Sequence, residues 1–154
     1  MPSEAIQPTD NIGGPYLVAA LFCEKVLLEK DGVSSLIRVV DRWTISGATE
    51  QMPLTVIQAA LFLSFKSGMY RGSSEISITT ITPSKTRGSS VTLPVHFEGD
   101  DDRGVNVTVK MAFPVQEPGV YWFEISLAGQ LFTRAPVRVR DQRVAQTAEG
   151  TGGV

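Results

Sequence analysis

Apolar and polar residues alternate along most of the second half of this chain. Over 105–113, Val105, Val107, Val109, Met111 and Phe113 are apolar, with Asn106, Thr108 and Lys110 between them. A period of two sends successive side chains to opposite faces of an extended backbone, so this segment predicts a strand with one buried face. The same reading over 91–98 turns Val91, Leu93, Val95 and Phe97 inward and Thr92, Pro94, His96 and Glu98 outward. Over 119–127 it turns Tyr121, Phe123, Ile125 and Leu127 inward. Over 131–140 it turns Leu131, Val137 and Val139 inward and Arg134, Arg138 and Arg140 outward.

The first half is richer in apolar residues. In strand 54–65, Ile57, Ala59, Leu61, Leu63 and Phe65 share one face, but Val56, Ala60 and Phe62 stand with Gln58 on the other. Such a strand is covered on much of both faces. Residues 75–82 read as a strand in which Ile81 falls out of phase with Ile76 and Ile78, and a bulge near Thr79–Thr80 restores the phase. The Ala, Leu, Glu and Lys content of Tyr16–Glu29 suits a helix. Lys30-Asp31-Gly32 and the β-branched run 33–45 follow directly, however, and a three-residue loop with Gly last is a common hairpin connection. Two long strands with Glu29 opposite Val33 put Glu24 opposite Arg38, a favourable charge pair; a two-residue loop would put Lys25 there.

Turn-forming residues separate these runs at 67–73, 83–90, 99–104 and 114–118. About eight strands without a helix predict an all-β fold, an antiparallel two-sheet β-sandwich of immunoglobulin-like type. Glu117-Pro118-Gly119-Val120-Tyr121-Trp122-Phe123 resembles the tyrosine corner of such sandwiches, with Phe123 as the inward residue two places after the tyrosine. Residues 1–14 and 141–154 lack a sustained apolar period and read as flexible tails around a single domain, 15–140.

Two stretches, LVAALFCEKVLLEKDGVSSLIRVVDR (17–42) and PGVYWFEISLAGQLFTRAPVRV (118–139), resemble an uncharacterised bacterial family of small all-β proteins, a domain of unknown function. The resemblance implies a bacterial origin and a β-sandwich-like fold. It carries over no activity, ligand or functional residue.

Composition narrows the partners. At 42% hydrophobic and 19% charged residues the 154-residue chain is not a disordered one. A net charge of −2 argues against nucleic acid, which selects a basic balance. One cysteine, Cys23, excludes an intrachain disulfide. The apolar run 16–23 is preceded by no cation, as a signal peptide requires, and falls short of the roughly 20 residues that span a bilayer. The expected setting is cytoplasmic, with no membrane partner.

Candidate chemistry is sparse. No GxSxG, HExxH, phosphate-binding or dinucleotide motif occurs. His96 reads as a solvated strand residue and Cys23 as a small buried hydrophobe; nothing supports pairing them as a dyad. Glu98-Gly99-Asp100-Asp101-Asp102 could supply oxygen ligands to calcium, but its spacing is not that of an EF-hand and it reads as a solvated hairpin tip. No enzymatic activity, cofactor or metal is expected. The last hairpin offers the better surface: pairing Leu127 with Leu131 sets Glu124 opposite Arg134, and Trp122, Arg138 and Arg140 share that face. Trp and Arg are enriched at binding hot spots, although the same residues also read as a charged outer face with Trp122 flattened under arginine stems. Pro136 marks this strand as an edge. The function expected is that of a non-catalytic protein-interaction module, binding an unknown protein partner or forming a homo-oligomer. The alternative is a ligand- or calcium-binding β-sandwich.

Overall fold

The computed structural model describes residues 13–47, 50–99 and 103–143, and the regular structure in them is all β. Nine strands follow in order: β1 (Tyr16–Leu28), β2 (Ser34–Val39), β3 (Arg42–Gly47), β4 (Thr55–Lys66), β5 (Arg71–Ile81), β6 (Arg87–Glu98), β7 (Gly104–Val115), β8 (Gly119–Leu127) and β9 (Gln130–Arg143). A four-stranded sheet has the order β2-β1-β4-β7 and is antiparallel throughout; a five-stranded sheet has the order β3-β9-β8-β5-β6.

Tyr16–Leu28 is a strand, as the loop chemistry after it requires, despite its helix-favouring composition. Leu28 pairs with Ser34 and Lys25 with Ile37, the register of a three-residue loop. Glu29 N donates to Val33 O at 2.8 Å, and Arg38 Nε lies 2.8 Å from Glu24 Oε1.

The partner strand does not run on to Ile45 as one piece. It leaves the four-stranded sheet at Val40–Asp41, and β3 joins the other sheet parallel to β9, with Arg42 beside Arg138. Arg38 adopts a left-handed φ of 55° just before the crossing. Val40 N bonds to Phe22 O on one side of the crossing, and Asp41 O accepts from Arg138 N on the other. A continuous strand would have kept Trp43 on the four-stranded sheet. After crossing, its ring meets Phe22 and Phe113 edge-on at 6.0 and 6.1 Å. The expectation of about eight wholly antiparallel strands is thereby corrected to nine, with one parallel pairing.

Side chains from one face of each sheet meet in a common core. β4 contributes Ile57, Ala59, Leu61, Leu63 and Phe65, and β8 contributes Tyr121, Phe123, Ile125 and Leu127, all buried as their alternation requires. Ring pairs join the sheets directly, with Phe22–Phe123 at 4.8 Å, Phe113–Phe123 at 5.1 Å and Phe65–Phe97 at 6.1 Å. Removing this aromatic surface from water is the main drive for folding. Val91 and Leu131, both expected inward, are 44% and 45% exposed. Val91 lies in the exposed half of edge strand β6, and Leu131 lies beside the last turn.

The bulge expected near Thr79–Thr80 is present as a register shift between Thr79 and Ile81, but the extra residue belongs to β6. Thr79 pairs with Ser90 and Ile81 with Arg87, so Gly88 and Ser89 oppose Thr80 alone. β5 itself keeps phase, and Ile81 faces outward beside Trp122. β9 continues to Arg143, three residues into the segment expected as a tail. Residues 1–12 and 144–154 lie outside the described residues.

Candidate interaction surfaces

The outward face of the β8–β9 hairpin holds the expected site. Its turn has two residues, Ala128 and Gly129, so Leu127 pairs with Gln130 and not with Leu131. A register shift between Ile125 and Ser126 absorbs one residue, and Glu124 still comes to lie opposite Arg134. Arg134 Nε stands 3.0 Å from Glu124 Oε2, while Arg87, at the start of β6, reaches Oε1 of the same carboxylate at 2.5 Å. Glu124 is 8% exposed, so a nearly buried anion is neutralised from both flanks. Trp122 is half-buried, with Pro136 and Ile81 as its cross-strand neighbours.

The five expected site residues thus divide. Glu124 and Arg134 belong to a closed ion-pair cluster completed by Arg87, and Trp122 packs beside it. Arg138 and Arg140 are exposed and make no ion pair among the described residues. The third cation of their group is Arg42, the register partner of Arg138. Arg42 was legible only as a charged residue on the strand paired with 16–29, so nothing in the sequence joined it to β9.

Pro136 does not mark a true edge, because β9 lies between β8 and β3. Arg138 N points toward β3, where it bonds Asp41 O at 3.1 Å. Backbone N–H groups alternate sides along a strand, so the imide nitrogen of Pro136 points the same way, at a level where β3 has not begun. The missing donor therefore leaves no ladder bond unmade. A notch of about 320 Å³ opens there, lined by Asp41, Arg42, Val120, Pro136, Arg138 and Arg140.

The outward face of the four-stranded sheet is of opposite character. Leu21 lies opposite Phe62, Cys23 lies between Val39 and Ala60, and Lys25 lies opposite Ile37. Phe62, Ala60 and Cys23 are buried in the middle of this face, whereas Leu21, Ile37, Val39 and Val56 are 40–55% exposed around them. Burial raises the Cys23 thiol above its ordinary pKa, against a smaller opposing contribution from the Lys25 backbone.

Residues 18–140, from the third residue of β1 into β9, match a single family. The chain belongs to the family of unknown function DUF6941. No curated protein matches this DUF6941 chain. Among solved structures it is similar to a β-glucosidase from Listeria innocua in complex with glucose (14% identity, 81% of this chain and 17% of that one, TM-score 0.42). It is also similar to the Pseudomonas fluorescens alkylpurine DNA glycosylase AlkC (7% identity, 79% and 30%, TM-score 0.38). A third likeness is to an immunoglobulin-like protein from Pseudomonas aeruginosa (14% identity, 84% and 98%, TM-score 0.36). The chain spans less than a third of the length of the first two.

The remaining polar groups of the DUF6941 domain are scattered. His96 Nδ1 lies 3.1 Å from Ser73 Oγ on the exposed face of β5 and β6, and Cys23 sits on the outward face of the other sheet, so the two do not meet. Ser67 Oγ is buried without a hydrogen-bond partner among the described residues, in a recess of about 130 Å³ that His96, Glu98 and Arg103 also line. Asp100, Asp101 and Asp102 lie outside the described residues. Among the described residues no group of three or more His, Cys, Asp or Glu could hold a metal ion, and no helix is long and apolar enough to cross a membrane.

Proposed function

We propose that this DUF6941 chain is a non-catalytic, cytoplasmic protein-interaction module, an immunoglobulin-like β-sandwich whose outer sheet faces dock a protein partner or a second copy. The observation that carries the reading is the outward face of the four-stranded sheet. Its central residues Phe62, Ala60 and Cys23 are already buried, yet Leu21, Ile37 and Val39 extend the same apolar surface into solvent, and Val56 adds an exposed apolar side chain beyond Gln58. Contiguous apolar surface of this kind on a soluble domain marks a contact site. The shared aromatic core between the two sheets supports the sandwich, and the Tyr121–Glu117 hydrogen bond supports the immunoglobulin-like type. The solitary buried cysteine supports a reducing compartment.

The test pairs Val39→Glu with Val56→Glu, two exposed positions at which a carboxylate stays solvated in the isolated domain. Wild type should self-associate in light scattering or retain a protein partner in native pull-downs, and the double variant should lose that association at an unchanged melting temperature. A wild type that is monomeric at high concentration, with pull-downs identical to those of the variant, would sink the reading.

A further inference from the structure

The opposite face of the molecule carries a cluster of three arginines with one carboxylate, Asp41, paired to Arg42 beside it. Arg42 and Arg138 are register partners on adjacent strands, and Arg140 lies two residues further along β9 beside Thr44. All three are exposed and project outward, because Val137 and Val139, which alternate with the two on β9, are buried and Trp43, next to Arg42, packs inward. Neighbouring strands stand about 4.8 Å apart and alternate residues about 6.6 Å apart, so three guanidinium groups share a small area. Like charges side by side in a sheet are unfavourable. Elsewhere on this face the cost is met internally, since Arg87 and Arg134 both close on Glu124. Here the described residues supply only Asp41, which reaches Arg42 Nε at 3.3 Å from the rim. The cations border two depressions: the notch beside Pro136, and a shallow cleft of about 580 Å³ on the far side of Arg138 and Arg140 that continues past Gly119 and Gln142.

We propose that this notch is a binding site for an acidic protein segment, with carboxylates seated on Arg42, Arg138 and Arg140 and an apolar side chain against Val120 and Pro136. The guanidinium fork matches a carboxylate in a bidentate, coplanar pair, which a lysine patch would not select. Val120 and Pro136 supply the uncharged contact that a peptide side chain can fill. A nucleic acid would use an exposed aromatic platform for its bases. Trp43 turns inward to Phe22 and Phe113, Trp122 on the outward face is half-buried between Ile81 and Pro136, and the chain as a whole carries a net charge of −2. The proposal deepens the interaction-module reading by naming a partner chemistry, but it stands on a different face from the apolar surface.

The test is fluorescence anisotropy with the full chain and a labelled octapeptide of alternating Glu and Leu at low ionic strength, beside a charge-matched oligothymidine and competition by inorganic phosphate. The peptide should bind, weaken as salt rises, and lose at least tenfold in affinity with Arg138→Gln plus Arg140→Gln. Arg87→Ala, whose guanidinium serves Glu124, should leave its affinity within twofold. The double variant should melt no lower than wild type, because it relieves repulsion with Arg42; if it does melt lower, Arg42→Gln alone repeats the binding comparison. Absence of peptide binding, equal binding by the arginine variants, or tighter binding of the oligonucleotide or of phosphate would each overturn the proposal. Val39→Glu with Val56→Glu should not change peptide affinity, so failure here and failure of the apolar face are distinguishable.

Discussion

The hydroxyl of Tyr121 donates a 2.7 Å hydrogen bond to the carbonyl oxygen of Glu117, four residues back along the chain. The bond ties the start of β8 to the loop before it. Gly119, at a φ of 135°, lets that loop pass against Pro83, where a Cβ would meet the ring at 2.8 Å. Tyr121→Phe keeps the ring against Phe113 and removes only the bond, so it should lower stability by about 1 kcal/mol in urea titration. Burial, more than any other cause, raises the phenol's pKa above 10.0. The folded state thus holds the proton more tightly than the unfolded one. That contribution is intact below the ordinary tyrosine range and is lost as pH climbs through the raised value, a loss that Tyr121→Phe should not show.

Phe123 should be the costliest single truncation on β8. It is fully buried between Phe22 and Phe113, and Phe123→Ala should lose about 3–5 kcal/mol. His96→Ala removes an exposed ring whose partner Ser73 turns to water, and should change stability by less than about 0.5 kcal/mol. Comparable losses at the two sites in parallel denaturation curves would contradict the assignment of faces.

Local rules made the strands and the first hairpin legible. Lys30-Asp31-Gly32 fixed the loop length, the loop length fixed the register, and Glu24 met Arg38 in consequence. The crossing at Val40–Asp41 was not legible, because residues 33–45 read as one extended run and only the packing of Trp43 against Phe22 and Phe113 shows why the chain changes sheets. Arg42 was lost from the candidate site for the same reason. Leu127 was matched with the wrong partner, yet Glu124 found Arg134, since a two-residue turn followed by a bulge restores the register of a three-residue turn. Arg87 could not be placed beside Glu124 from sequence, because that contact spans 37 residues and a bulge on β6.

Glu124 and its two arginines should behave non-additively. Arg134→Ala or Arg87→Ala alone leaves one cation on the carboxylate, and each arginine is more than half exposed, so each should cost less than about 1 kcal/mol. Removing both strands a nearly buried carboxylate, which should cost about 3 kcal/mol, more than the sum of the singles. A double-mutant cycle by chemical denaturation measures the difference, and simple additivity would mean that water already satisfies Glu124.

Cys23 should be inert in the folded protein. It is fully buried, and its thiol is held above the ordinary value by that burial, so little thiolate is present at pH 8. Alkylation followed by mass spectrometry should be far slower in buffer than in urea. Rapid labelling of the native chain would show that the apolar face over Ala60 and Val39 opens readily.

The last turn offers a test of backbone strain alone. Ala128 and Gly129 have φ values of 51° and 80°, the two left-handed residues of a type I′ hairpin turn. Asn and Gly adopt that conformation readily, whereas alanine is strained by roughly 1 kcal/mol through contact of its Cβ with the carbonyl that follows. Ala128→Asn should therefore raise stability by about 0.5 kcal/mol. A Cβ on Gly129 would meet nothing within 4 Å, so Gly129→Ala adds no clash with the rest of the molecule and isolates the backbone term. Its loss should be about 1 kcal/mol. Opposite signs at adjacent exposed positions are the mark of a type I′ turn, because a three-residue loop pairing Leu127 with Leu131 would not require both residues to be left-handed. Thermal melts of the two variants decide between these geometries, and a gain or a loss at both positions would remove the turn that sets the start of β9 and, through the bulge after it, the pairing of Glu124 with Arg134.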